Sequence, residues 1–127
     1  MTDDTAHLPY IRHPHLHDGL VCFVAEDDVW MAPLPPADAS QNGRWPGEEQ
    51  DRAWRLTVDR TRVSHPRFSP DGQHIAFTSW RSLDPEIHLV PVVGGPTRRL
   101  SYWGAPYARV CGWTPEGDVL AVASHEQ

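Results

Sequence analysis

The sequence predicts an all-β fold built from a repeated four-stranded unit, and three observations lead there. First, Ser64-His65-Pro66-Arg67-Phe68-Ser69-Pro70-Asp71-Gly72, followed by Ile75-Ala76-Phe77-Thr78, recurs as Arg109-Val110-Cys111-Gly112-Trp113-Thr114-Pro115-Glu116-Gly117, followed by Leu120-Ala121-Val122-Ala123, at a spacing of 45 positions. Second, the segments between these copies recur too. Val29-Trp30-Met31-Ala32-Pro33-Leu34 matches Ile87-His88-Leu89-Val90-Pro91-Val92 at a spacing of 58, and Trp54-Arg55-Leu56-Thr57 matches Arg98-Arg99-Leu100-Ser101 at 44. Third, no run shows a helical apolar period, while short β-prone runs alternate with Pro, Gly and Asp signals. A repeat at fixed spacing decides architecture ahead of local propensity. Four strands in ~40–50 residues is the size of a β-propeller blade.

Taken in order, the first unit spans about 12 to 57 and opens on a looser copy, Arg12-His13-Pro14-His15-Leu16-His17-Asp18-Gly19, with a shorter turn before Val21-Cys22-Phe23-Val24. Between its third and fourth runs lies Pro35 to Asp51, rich in Pro, Gly, Ser, Asn and acids, which reads as a surface loop. The second unit spans 64 to 101 and makes the same connection tightly through Gly94-Gly95-Pro96. A half unit, 109 to 127, ends after its second strand. Residues 20 to 26, 75 to 80 and 119 to 124 are thus equivalent second strands, expected to be buried on both faces. In the Ser69-Pro70-Asp71-Gly72 turn, proline presets φ, aspartate bonds its own backbone and glycine accepts positive φ; Thr114-Pro115-Glu116-Gly117 keeps the proline and glycine. Two blades plus half of a third leave an apolar flank, so a longer parent and self-association of the isolated chain are expected.

Composition narrows the partners. The 127 residues carry 11 Lys plus Arg against 17 Asp plus Glu, a net charge of −6 that disfavours nucleic acid and anionic membranes. The polar, acidic start Met1-Thr2-Asp3-Asp4-Thr5-Ala6-His7 lacks the basic and apolar regions of an export signal, and no apolar stretch approaches the ~20 residues of a membrane span. The cytoplasm is the expected compartment. Cys22 and Cys111 sit in separate apolar runs, without zinc-knuckle or redox spacing, and read as two buried thiols a full blade apart.

Candidate sites are weighed against their places in the repeat. His13, His15 and His17 alternate along a strand and could offer three imidazoles to zinc or copper on one face. However, His13-Pro14 fills the slot of His65-Pro66 and no carboxylate or cysteine completes a shell, so no metal site is assigned. Ser64, Ser69, Ser79, Ser82, Ser101 and Ser124 stand beside eight histidines, yet none lies in a Gly-x-Ser-x-Gly elbow, and no catalytic residue is assigned. No cofactor motif occurs. Trp30, Trp54, Trp80 and Trp113 fall in or at the end of strands and read as core, whereas Trp45 and Trp103 lie in loops as candidate ligand contacts. Arg98-Arg99, with Arg55, could hold a peptide carboxylate or simply be solvated strand-edge side chains.

His15-Leu16-His17-Asp18-Gly19, Phe23-Val24-Ala25-Glu26-Asp27-Asp28-Val29-Trp30, Trp54-Arg55-Leu56-Thr57 and the Ser64 to Gly72 segment together resemble the N-terminal propeller of tricorn-type proteases, as in actinobacterial homologues. The acidic pair ahead of Val29-Trp30 is the more telling part, since Ser-Pro-Asp-Gly turns also occur in TolB-like and prolyl-oligopeptidase-type propellers. The resemblance implies a large, oligomeric serine peptidase that trims oligopeptides, with a six-bladed N-terminal propeller, a second propeller, a PDZ-like module and a C-terminal catalytic domain. On that reading this chain is a substrate-gating or scaffold segment, partnered by the rest of its parent and by other subunits. Its parent's substrate is an oligopeptide. The family's catalytic serine and histidine match no position here. The alternative is a TolB-like protein-binding propeller without enzymatic activity; such proteins are exported, and the missing export signal disfavours it.

Overall fold

The computed structural model describes residues 11–34 and 53–125, and contains strands and no helix among them. The first sheet comprises β1 (Arg12–His17), β2 (Leu20–Ala25), β3 (Asp28–Pro33) and β4 (Trp54–Arg55), antiparallel and in that order. The second repeats the order with β5 (Val63–Phe68), β6 (His74–Ser79), β7 (Glu86–Pro91) and β8 (Arg98–Arg99). A third, two-stranded sheet pairs β9 (Tyr107–Trp113) with β10 (Val119–Ser124). First strands pack on one another, β1 on β5 and β5 on β9, so the three sheets fan out from a shared inner edge. This is a partial β-propeller of two blades and half of a third. The segment read as the Pro35–Asp51 loop lies outside the described residues.

Turn chemistry follows from the residues that permit positive φ. Asp18 and Gly19, at φ 50° and 81°, close β1 onto β2 in two residues, and Glu26 and Asp27, at 53° and 64°, close β2 onto β3. Positive φ at both central positions matches the right-handed twist of the flanking strands. In the second blade Gly72, at φ 74°, donates its N–H to Ser69 O at 2.9 Å, while Asp71 Oδ1 accepts from Ser69 Oγ at 2.6 Å and from Gln73 N at 3.0 Å. Asp71 therefore bonds the backbone of its own turn, as its type suggests.

The first strand of each complete blade carries a bulge at its histidine-proline pair. The β1–β2 register slips between Arg12 and His15, and the β5–β6 register between Ser64 and Arg67. His13 and His65 take positive φ of 55° and 52° at those slips. Their equivalence, read from the repeat, is thus a shared backbone distortion.

The core lies between sheets. Cys22, Val24, Val29 and Met31 of the first blade meet Phe68, Ile75, Phe77 and Val90 of the second. On the far side of the second blade, Ala76, Ile87 and Val110 gather Leu89, Trp113, Val119 and Ala121. Strand β6 therefore feeds two interfaces by simple alternation, Ile75 and Phe77 one way and Ala76 the other.

Four expectations require correction. The third second strand is not buried on both faces: Val119 and Ala121 pack inward, but Leu120 and Val122 are 49% and 43% exposed, because the described chain places no sheet beyond β10. The second-strand spacing is 44, not 45. Phe68 pairs with Ile75 whereas Trp113 pairs with Val119, since the Thr114–Asp118 turn is one residue shorter than Ser69–His74. Cys111 is an exposed thiol, on the same outer face of the half blade as Leu120; only Cys22 is buried, and the two are unpaired. Trp54 is 41% exposed, and Trp30, Trp80 and Trp113 are half-buried, so the strand tryptophans line edges and gaps between blades and do not form its centre.

Candidate functional site

Each complete blade is latched by a buried carboxylate at the start of its third strand. Glu86, 1% exposed, accepts Ser101 Oγ at 2.6 Å, Trp103 N at 3.0 Å and Gly104 N at 2.9 Å, with Arg99 at 3.4 Å. In the first blade Asp28 accepts Thr57 Oγ1 at 2.6 Å, and Arg55 lies 3.7 Å away. The hydroxyls also accept N–H groups, Ile87 N at 2.9 Å and Val29 N at 3.0 Å. A carboxylate buried this deeply is costly unless hydrogen bonds or a nearby cation answer it. Burial opposes ionisation of Glu86, but the Ser101 hydroxyl, the two N–H groups and Arg99 together hold it below the ordinary range. Asp28 is one methylene shorter, and its Oδ2 and Arg55 Nε are left without hydrogen-bond partners.

These latches decide the fate of the arginines. Arg99 also donates to Ser101 O at 2.9 Å and stacks on Tyr102 at 4.0 Å; Arg55 lies over Trp30 at 5.0 Å. Both are committed to their own blades, which leaves Arg98 as the exposed cation of the three. Trp103 is 43% exposed with its backbone N–H tied to Glu86, while Trp45 lies outside the described residues.

The three β1 histidines do converge on one surface, but that surface is the neighbouring blade. The His13 and His65 rings lie 4.1 Å apart; His15 Nδ1 accepts Phe68 N at 3.0 Å; His17 packs 5.5 Å from the Phe68 ring. Among the described residues no group of three His, Cys, Asp or Glu side chains is placed to hold a metal. Ser64 Oγ is 3.0 Å from His65 Nδ1, yet burial first, then His13, Arg109 and Arg67, push His65 down to about 4, making it a poor base for that hydroxyl. Burial also lowers His88, which is 1% exposed against Phe77 and was not singled out from the sequence; its slot in the repeat holds Trp30 in the first blade, and that ring-to-ring match was the available signal.

The inner edge has two chemically different ends. At the strand starts, a cavity of about 340 Å³ is bordered by His13, Arg62, His65, Trp80, Tyr107 and Arg109. At the turn ends of the same strands, a second cavity of about 340 Å³ is bordered by Asp71, His74, Leu89, Trp113 and Glu116. The first is cationic and the second is mainly acidic, in a chain whose net charge is −6.

Successive four-stranded antiparallel sheets with packed first strands and latched fourth strands define a segment of a β-propeller. The chain belongs to the tricorn protease N-terminal β-propeller domain family, whose description matches residues 8–127. It is 57% identical over 121 residues to the protein named tricorn protease homolog 2 of Streptomyces coelicolor, covering 91% of this chain and 9% of that protein. Among solved structures it resembles the tricorn protease with TM-score 0.67 and 20% identity, covering 88% of this chain and 11% of the other. It also resembles TolB from Acinetobacter baumannii with TM-score 0.60 and 18% identity, over 84% of this chain and 24% of that one. At those identities the structural likenesses establish the fold alone. No helix among the described residues is long and apolar enough to cross a membrane.

Proposed function

We propose that this chain is a non-catalytic, substrate-handling segment of a six-bladed propeller, blades 12–57 and 64–101 with half blade 109–127, in a cytoplasmic tricorn-like serine peptidase that degrades oligopeptides. The observation that carries this reading is the polarity of the inner edge, with Arg62 and Arg109 at the strand starts and Asp71 and Glu116 at the turn ends. A peptide has opposite charges at its two termini, and an edge charged this way favours one orientation of passage. Hydrolysis belongs to the rest of the parent, since no serine here combines an elbow with a competent base. The outer face of β10 is where the parent's next blade would pack, and a second copy would compete for it in the isolated chain.

The test uses the full-length parent carrying R62E together with R109E. KM for oligopeptides of eight or more residues should rise severalfold, with kcat on a short chromogenic peptide unchanged. Equal loss on both substrates would remove the gating role. A full-length parent that binds protein partners and has no peptidase activity would instead favour the TolB-like reading.

A further inference from the structure

We infer that the cavity bordered by His13, Arg62, His65, Trp80, Tyr107 and Arg109 is a binding site for a single oxyanion, a carboxylate or a phosphate. Three blades contribute to it: His13 from β1, His65 from β5 and Arg109 and Tyr107 from β9. No Asp or Glu borders it, and among the described residues neither Arg62 nor Arg109 has an ion-pair partner. In an acidic chain, two arginines and two histidines bordering one cavity, the arginines without an ion-pair partner among the described residues, are poorly balanced until a counter-charge arrives.

The fold holds this arrangement in place. Arg62 is oriented by stacking on the Trp80 ring at 4.1 Å, and Trp80 N is in turn bonded to Arg62 O at 3.0 Å. His65 is fixed through Ser64 Oγ and by the His13 ring. Preset donors lose little freedom on binding, and planar guanidinium groups match the geometry of two-oxygen anions. Burial first, and after it His13, Arg109 and Arg67, depress His65, so an anion would relieve the repulsive part as well as pair with Arg109. Trp80 and Tyr107 offer apolar walls for a small alkyl group beside the anion. The inference shares Arg62 and Arg109 with the peptide-handling proposal and deepens it by naming the group they hold, and small-anion binding tests the site apart from any effect on peptide turnover.

Histidine-ring NMR of the full chain, titrated with sodium acetate, inorganic phosphate and neutral acetamide at constant ionic strength, tests it. Acetate or phosphate should shift the His13 and His65 rings saturably, with His88 as an unmoved reporter of the fold. R109Q should weaken binding at least about tenfold, the expected loss of a charge-assisted bond, and R98Q should leave it unchanged. Saturation by acetate alone assigns the site to carboxylates, and by phosphate alone to phosphates. A response to acetamide equal to that of acetate, a linear salt response, or undiminished binding by R109Q overturns the inference. Should R109Q lose the native His88 signal, R62Q serves in its place.

Discussion

Ser101 Oγ donates to Glu86 Oε1 at 2.6 Å, and one blade earlier Thr57 Oγ1 donates to Asp28 Oδ1 at the same 2.6 Å. The pair ties the end of a blade to the start of its third strand and sends the chain on toward the next blade. Replacing Glu86 by Ala leaves Ser101 Oγ, Trp103 N and Gly104 N without their acceptor. A buried group stripped of its partner costs about 1–3 kcal/mol, so E86A should lose several kcal/mol and S101A about 1–3. Urea denaturation followed by tryptophan fluorescence gives both values; an S101A variant as stable as the wild type would show that the latch is ornamental.

Gly72 sits beneath His17 of the preceding blade. A Cβ at Gly72 would lie 2.8 Å from both Cδ2 and Nε2 of that imidazole, on a backbone at φ 74°. G72A should therefore destabilise by about 1–3 kcal/mol, part contact and part backbone strain. In a double-mutant cycle, H17A should recover the contact part while the strain of about 1 kcal/mol remains. Strict additivity of the two changes would mean the rings and turn do not meet in solution.

The two thiols should differ sharply. Burial pushes Cys22 up to about 12, and its Sγ donates to Pro66 O at 3.7 Å, whereas Cys111 is exposed. Native protein with a thiol-disulfide reagent at neutral pH should release one equivalent quickly, and denatured protein two. Rapid labelling of both would place Cys22 outside the interface between blades.

Acid should loosen the inner edge. His65 falls from an ordinary 6.5 to about 4, chiefly by burial, and His13 and His15 are lowered in the same way. The unfolded chain binds the extra proton first, so the stability contributed by a neutral His65 is complete above about 6.5 and declines toward about 4. Melting temperature should drop across that window, and H65Q should flatten the drop. An unchanged slope in H65Q would assign the acid sensitivity elsewhere.

The half blade should be the site of association. Leu120 and Val122 form an exposed apolar face on a strand whose only described neighbour is β9. Light scattering should show oligomers that grow with concentration, and L120K with V122E should shift the population toward monomer. Amide exchange should find residues 109–125 less protected than 64–101. A concentration-independent monomer with uniform protection would show that two and a half blades bury enough by themselves.

The sequence by itself determined the repeat, the strands and the turns, because each rests on local chemistry: alternating apolar runs, Pro-Asp-Gly bends, and a histidine-proline pair whose recurrence marks a bulge. It also carried the family resemblance, through short segments such as Asp28-Val29-Trp30. Only the tertiary structure decided what those residues touch. The β1 histidines share a face on paper, but their use depends on β5, which lies about fifty positions away. Arg55 and Arg99 look like free strand-edge cations until Asp28 and Glu86 fold back upon them. The single-residue shortening of the Thr114–Asp118 turn reassigned every side chain of β10 between its two faces, and with them the exposed Leu120 and Val122. A period-two strand leaves that choice to register, and register is settled by the partner strand and by the blade against which it packs.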